Sequence, residues 1–164
     1  MQRETVGRPM EVLLVEDSVP AARLAIGGLK RGQFEHRLTW LRDGEQASQF
    51  LHCEGVYRQA PQPDLILLDL GLPGKGGREV LAEIRSNDRL SSIPVVVMTA
   101  STDQQDVLVS EDLSVQAYLV KPVDLEKFFE LITELKSYWR ADMIVPTTRD
   151  AESTMDALPE HRWV

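Results

Sequence analysis

Five short apolar segments, each followed by a stretch with helical spacing, constrain the fold of this chain more than any other feature. Glu11 to Glu16 (EVLLVE) is an apolar run flanked by charge, and Ala21 to Gly32 follows with apolar residues at Leu24, Ala25, Gly28 and Leu29. This pattern reads strand, then helix. Arg37 to Arg42 is a second extended segment with a less clean alternation, and Asp43 is placed to cap a helix through Ala47, Phe50 and Leu51. Pro61 and Pro63 punctuate the chain before Asp64 to Asp69 (DLILLD). That run is continuously apolar, as a strand buried on both faces must be, and is expected to be the central strand. Gly71 to Gly77 (GLPGKGG) reads as a loop on composition, and Val80, Leu81 and Ile84 mark a helix after it. Pro94 opens the β-branched run Val95 to Thr99, a strong strand signal. Thr102 and Gln105 have capping-box spacing ahead of a short helix carrying Val107 and Leu108. Ala117 to Val120 is a short strand, and Asp124 is placed to cap a last helix from Leu125 to about Trp139.

Five strands alternating with five helices imply parallel pairing through right-handed crossovers, with helices on both faces of one sheet. The expected fold is α/β, a doubly wound five-stranded parallel sheet of flavodoxin-like (βα)5 type. At 164 residues the chain has the size of one domain with flanking segments. The expected division is an N-terminal extension at 1–9, a domain at 10–140, and a C-terminal tail at 141–164 where the periodicity fades. A net charge of -8 with scattered basic residues argues against nucleic-acid binding. Runs such as Leu65 to Leu68 and Ile93 to Ala100 fall short of the roughly 20 residues that span a bilayer, so no membrane segment is expected. Met1 to Pro9 is polar and shows no apolar leader, and Cys53 is alone, which fits a reducing compartment. A cytoplasmic location follows as the expectation.

In a doubly wound sheet, ligands bind outside the carboxyl ends of the strands, at the point where strand order reverses. Four strand ends carry unusual residues: Glu16 and Asp17 after the first, Asp69 after the third, Thr99 after the fourth and Lys121 after the fifth. Three carboxylates meeting at one edge repel one another, and either protonation or a hard cation with oxygen ligands relieves the repulsion. A magnesium-sized ion suits this set better than zinc, which favours Cys and His. With a cation offsetting its charge, Asp69 is suited to act as a carboxylate nucleophile on phosphorus. Lys121 offers a mobile point charge and Thr99 a hydroxyl donor for phosphoryl oxygens. Phosphoryl transfer asks mainly for positioning and charge neutralisation, so this small inventory suffices without a separate general base.

The motifs V-E-D-S (Val15 to Ser18), I-L-L-D-L-G-L-P-G (Ile66 to Gly74), V-V-V-M-T-A-S (Val95 to Ser101) and Y-L-V-K-P (Tyr118 to Pro122) resemble, with matching spacing, the motif set of response-regulator receiver domains. The resemblance covers roughly Met10 to Trp139. It implies that Asp69 is the phosphoacceptor, and that Asp17, Asp69 and the main-chain carbonyl of Gly71 bind Mg2+ or Mn2+, with Glu16 contributing through a metal-bound water. It further implies Thr99 as switch hydroxyl, Tyr118 as switch aromatic, Lys121 as the charge-neutralising lysine, and a cis Lys121-Pro122 bond. L-R-D-G-E-Q-A (Leu41 to Ala47), the insertion around Glu54 to Pro63, G-R-E-V-L-A-E-I (Gly77 to Ile84) and S-Y-W (Ser137 to Trp139) resemble the small stand-alone regulators paired with bacterial and cyanobacterial phytochromes. That likeness implies a sensor histidine kinase of phytochrome type as phosphodonor, output by conformational switch and protein–protein interaction, and homodimerisation. The residues nominated for a dimer face are Tyr118, Phe129, Leu131 and Tyr138. Two positions depart from the receiver pattern: Gly76 stands where many receivers have an acidic residue, and Gly71 where many have a bulkier one, so a looser loop after Asp69 and an altered dephosphorylation rate are expected, with acceptor chemistry retained.

Two other classes compete. An aspartate-nucleophile phosphatase of the haloacid-dehalogenase type wants a second Asp two residues after the nucleophile, where this chain has Gly71. A flavin carrier wants a Ser/Thr/Gly-rich loop after the first strand, where this chain has Glu16-Asp17. Glu16-Asp17-Ser18 alone is also what a helix N-terminus favours, where such residues complement the dipole and cap free amides, and only its register with the other strand-end residues lifts it above that reading. His36, His52 and His161 lack metal-site spacing and are expected at the surface or the core edge. Cys53 is expected to be a small, partly buried apolar residue.

Overall fold

The computed structural model describes residues 9–31, 35–100, 113 and 115–135. Its elements are β1 (Met10–Val15), α1 (Val19–Arg31), β2 (His36–Leu41), α2 (Gly44–Leu51), a 3-10 turn (Gly55–Tyr57), β3 (Leu65–Asp69), α3 (Gly77–Ser86), β4 (Val95–Thr99), β5 (Ala117–Val120) and α4 (Leu125–Leu135). The five strands pair in parallel in the order β2-β1-β3-β4-β5. Because β2 lies on one side of β1 and β3 on the other, the order reverses between β1 and β3. The switch point is there, and it brings the ends of those two strands side by side.

Alternation along the strands builds a core on each face of the sheet. Leu13, Val15, Ile66 and Leu68 face Phe50 of α2 and Val80 of α3, while Val12, Leu14, Leu65 and Leu67 face Leu29 of α1 and Phe128 of α4. This two-sided demand explains the unbroken run in β3, all five residues of which are buried. Each such leucine contributes about 2 kcal/mol of burial. The sheet's flank is different: β4 is buried throughout, whereas Ala117, Tyr118 and Leu119 of β5 are half-buried and Val120 is exposed.

Local chemistry sets the helix boundaries. α1 begins at Val19, two residues before the apolar periodicity, because Ser18 caps it: its Oγ accepts from Ala21 N at 3.3 Å and its carbonyl from Ala22 N at 2.9 Å. Pro20 fits in this first turn, where no amide is needed. The two expected aspartate caps are present, with Asp43 Oδ1 accepting from Gln46 N and Asp124 Oδ1 from Glu126 N, both at 2.8 Å. Where α1 meets α4 the fit is tight, since a Cβ on Gly28 would lie 2.0 Å from the Phe128 ring. Leu24, counted with the apolar face of this helix, is instead exposed, and Ala22 is buried with Ala25, Gly28 and Leu29.

His36 departs from expectation by being completely buried, because it opens β2 opposite the buried Met10. His52 is half-buried, its Nδ1 lying 2.8 Å from the Ser48 carbonyl. Cys53 is half-buried as expected and takes a left-handed φ of 55° just past α2. The helix expected at Thr102, Gln105, Val107 and Leu108, residues Tyr138, Trp139 and His161, and the tail 141–164 lie outside the described residues.

Candidate functional site

The carboxyl ends of β1, β3, β4 and β5 surround one open cleft of about 270 Å³, lined by Asp17, Asp69, Leu70, Gly71, Thr99, Ala100 and Lys121. Asp69 closes β3, and its side chain is only 5% exposed. One of its oxygens, Oδ1, accepts from the Gly71 amide at 2.9 Å, and the other, Oδ2, faces the Lys121 ammonium at 3.1 Å. Lys121 is delivered from the end of β5, two strands away across β4, where its backbone amide extends the β4–β5 ladder to the Thr99 carbonyl at 2.7 Å, ahead of a cis bond to Pro122. The same ammonium lies 2.8 Å from Oε1 of Glu16, a residue with no exposed surface, whose Oε2 accepts from the Ser18 amide at 3.0 Å.

One oxygen from each of Glu16, Asp17 and Asp69 lies within 4.8 Å of the others. Burial drives the Glu16 carboxyl above its ordinary range even though the Lys121 hydrogen bond pulls the other way. Burial also works against the Lys121 charge, but the bonds to Glu16 and Asp69 outweigh it and hold the ammonium above its usual value. The Lys121 ammonium pairs with two of the three carboxylates, Glu16 and Asp69, and the cluster keeps a surplus of negative charge on hard oxygen donors. That donor set fits a hard divalent cation with oxygen ligands. Glu16, already held by two protein groups and sealed from solvent, sits behind Asp17 and Asp69, which reach the cleft.

The two loops that carry these acids are supported in different ways. Past β1, Glu16 N donates to the Leu41 carbonyl at 3.0 Å, Trp40 Nε1 donates to the Glu16 carbonyl at 2.7 Å, and Arg42 Nη2 donates to the Asp17 carbonyl at 3.1 Å. Past β3, Gly77 presses against the turn so closely that a Cβ would lie 2.3 Å from the Asp69 carbonyl and 2.8 Å from Leu70 Cα. Lys75 leaves the same loop to pair with Glu83 of α3 and to donate to Ser48 Oγ of α2 at 3.2 Å, while Ser48 Oγ donates to Glu83 at 2.7 Å. Burial alone would raise the Glu83 carboxyl, but the bonds from Lys75 and Ser48 win and hold it below its ordinary value.

Comparison with known proteins decides the family. The family described as "Response regulator receiver domain" matches residues 12–133. The chain belongs to the response-regulator receivers. Response regulator Rcp1 of Synechocystis sp. is 46% identical over 138 residues, covering 84% of this chain and 94% of that protein. The crystal structure of the Mn(2+)-bound form of Rcp1 covers 85% of this chain and 100% of its own, at 45% identity and a TM-score of 0.68. The bacteriophytochrome response regulator RtBRR aligns over 90% of this chain and 89% of its own, at 37% identity and a TM-score of 0.76. The phosphorylated cyanobacterial phytochrome response regulator RcpA aligns over 85% and 99%, at 40% identity and a TM-score of 0.69. This receiver is thus related to phytochrome response regulators, a class of two-component signalling protein that works with sensor kinases. No described helix is long and apolar enough to cross a membrane.

Of the residues nominated from sequence, the receiver fold gathers Glu16, Asp17, Asp69, Gly71, Thr99 and Lys121 at one edge. Thr99 is 2% exposed at the end of β4 and lines the cleft. Tyr118 does not line it; half-buried on β5, it packs against the core under α2 and α3. Sequence reasoning missed the supports Trp40 and Arg42, the close approach at Gly77, and the Lys75–Glu83–Ser48 network. The cap at Ser18 lies in the stretch that also read as a helix N-terminus, and it carried a local signal because it stands directly before an apolar periodic stretch.

Proposed function

We propose that Asp69 accepts the phosphoryl group of this receiver from the phosphohistidine of a sensor kinase. The observation that carries this reading is the near-complete burial of Asp69 at the floor of an open cleft, with one oxygen on the Gly71 amide and the other on Lys121. In the transfer the donor's P–N bond breaks as a P–O bond forms to a carboxylate oxygen of Asp69, and the imidazole leaves with the bonding pair. Lys121 shifts its charge toward a phosphoryl oxygen, and the Thr99 hydroxyl donates to another. Asp17, Asp69 and the Gly71 carbonyl would hold a Mg2+ or Mn2+ ion, Glu16 acting through a water; the ion supplies neutralisation of charge on the phosphoryl oxygens. Thr99 and Tyr118 move inward when the phosphoryl group is in place, shifting a two-state equilibrium whose output is a changed protein-binding surface. Turnover is limited to this self-catalysed transfer and a slow autodephosphorylation. The functional unit is residues 10–140, a reading supported by the family match at 12–133.

The phosphodonor we infer is a light-sensing histidine kinase of phytochrome type, supported by what RcpA and RtBRR are named for. A homodimer through β5 and the last helix, with Tyr118, Phe129, Leu131 and Tyr138 nominated, is supported by the half-exposed flank of the sheet, where Val120 is 42% exposed. Light scattering at tens of micromolar showing a monomer in both phosphorylation states would refute the dimer.

Intact mass after incubation with acetyl phosphate, with and without Mg2+, tests the acceptor reading. A single adduct that needs Mg2+ and is lost in Asp69→Asn is the expected result. An adduct of equal amount in Asp69→Asn would reject Asp69, and continuous release of phosphate from small esters would favour the phosphatase class instead.

A further inference from the structure

β1 ends at Val15, paired with Leu41, and the Glu16 amide adds one last rung to the Leu41 carbonyl at 3.0 Å. The next two carbonyls, those of Glu16 and Asp17, belong to the acids that face Asp69. Both are taken by side chains from the end of the neighbouring strand, Trp40 Nε1 and Arg42 Nη2. Trp40 and Arg42 are two positions apart and project to the same side of β2, so the guanidinium stacks over the indole with Cζ 5.3 Å from the ring centroid. Gln46 Oε1 in turn accepts from the Arg42 amide at 3.2 Å, which fixes the start of the arginine. An isolated exposed arginine would sample many rotamers, and the ring removes that freedom before the hydrogen bond forms.

We propose that Trp40 and Arg42 form a positioning clamp that sets the divalent-cation affinity of the site by fixing the peptide planes of Glu16 and Asp17. Neither side chain touches the cleft; both act through the backbone on which the acids are mounted. A rotated peptide plane at this turn swings the Asp17 carboxylate away from Asp69 and lengthens the distances among the three oxygens that now lie within 4.8 Å. Outer supports of this kind tune metal sites by holding the ligands in place. The inference rests on the cation reading of the previous subsection.

The test is calorimetric titration of the metal-free full chain with Mn2+, paired with acetyl phosphate phosphorylation followed as a function of Mg2+. Trp40→Phe keeps a ring and removes the donor; Arg42→Met keeps a stem and removes the guanidinium at an exposed position where folding is not at risk. Both variants are expected to bind Mn2+ about three- to tenfold more weakly. The Mg2+ half-saturation of phosphorylation rises by the same factor, with the rate at saturating Mg2+ within about twofold of wild type. Arg42→Lys, which keeps a donor, recovers part of the affinity. Asp17→Asn, the control for the site itself, is expected to lose Mn2+ binding. Wild-type affinity in both clamp variants beside a loss in Asp17→Asn would overturn the clamp and leave the site standing. A fall in saturated rate with no shift in half-saturation would reduce the pair to a structural role and also overturn it. Equal Mn2+ uptake by wild type and Asp17→Asn would overturn the site and the clamp together.

Discussion

The loop after β1 and the loop after β3 carry the carboxylates of one site, yet they are built on different principles. The first is stitched to β2 by hydrogen bonds to its backbone, from Trp40, Arg42 and the Leu41 rung, and it runs directly into a helix capped by Ser18. The second shares one equivalent rung at its start, Leu70 N to the Met98 carbonyl of β4 at 2.9 Å, but its further supports are of another kind. It is held by a close backbone approach at Gly77 and by one side-chain network, Lys75 with Glu83 and Ser48. A loop fixed through its backbone tolerates little local change, whereas a loop fixed at its two ends leaves the middle free to adjust. The first arrangement suits acids that must keep a fixed position, and the second suits the segment next to the carboxylate proposed to gain and lose a phosphoryl group.

Substitutions at the fixed and free points break this comparison in a defined order. Gly77→Ala is expected to have the largest effect, because its Cβ would meet backbone on both Asp69 and Leu70 and nothing there can yield cheaply. A loss of about 2–3 kcal/mol in urea unfolding is the expected magnitude. Ser18→Ala, which removes the cap that joins the first loop to α1, should cost about 1 kcal/mol by the same measurement.

Lys75→Met should cost about 0.5–1 kcal/mol near neutral pH, the range for a partly exposed pair. Its pH dependence sharpens the point. Glu83 is held below its ordinary 4.5, so the unfolded chain takes up its proton first. The stability from the pair is therefore present above the unfolded value and is lost as pH falls through the lower folded one. The difference between wild type and Lys75→Met should shrink on acidification below the unfolded value, and a constant difference would show that Glu83 does not carry it. Gly71→Ala should have the smallest effect on stability, within about 0.5 kcal/mol, since its Cβ would make only an ordinary 3.5 Å contact with Asp69 Oδ1. A large loss there would show that the middle of the second loop is as constrained as its end.

The centre of the sheet was legible in the sequence because two-sided burial forces continuous apolar runs, and β3 and β4 lie where those runs lie. The aspartate caps at Asp43 and Asp124 were legible for a similar local reason: a short acceptor directly ahead of helical periodicity has one best use. The acids, Thr99 and Lys121 were legible because strand ends at a switch point converge whatever the loops between them do. The supports were not. The bonds from Trp40 and Arg42 join residues 24 and 25 positions apart, and nothing in the local pattern of β2 distinguishes a side chain that reaches a carbonyl from one that lies on the surface. His36 was misplaced for the same reason, since its burial depends on which strand lies beside it. Gly77 read as one glycine among several in a loop, and only the approach of the Asp69 carbonyl separates it from Gly71.

The central claim, that the buried carboxylate at the end of β3 is the phosphoacceptor, is tested most directly by borohydride trapping. Treatment with acetyl phosphate and Mg2+, reduction of the acyl phosphate, and peptide sequencing by mass spectrometry mark the acceptor as homoserine. The account predicts homoserine at position 69 and at no other carboxylate, with none formed when Mg2+ is withheld. Homoserine at position 17, or an unchanged Asp69 in protein whose intact mass carries the phosphoryl adduct, would contradict it.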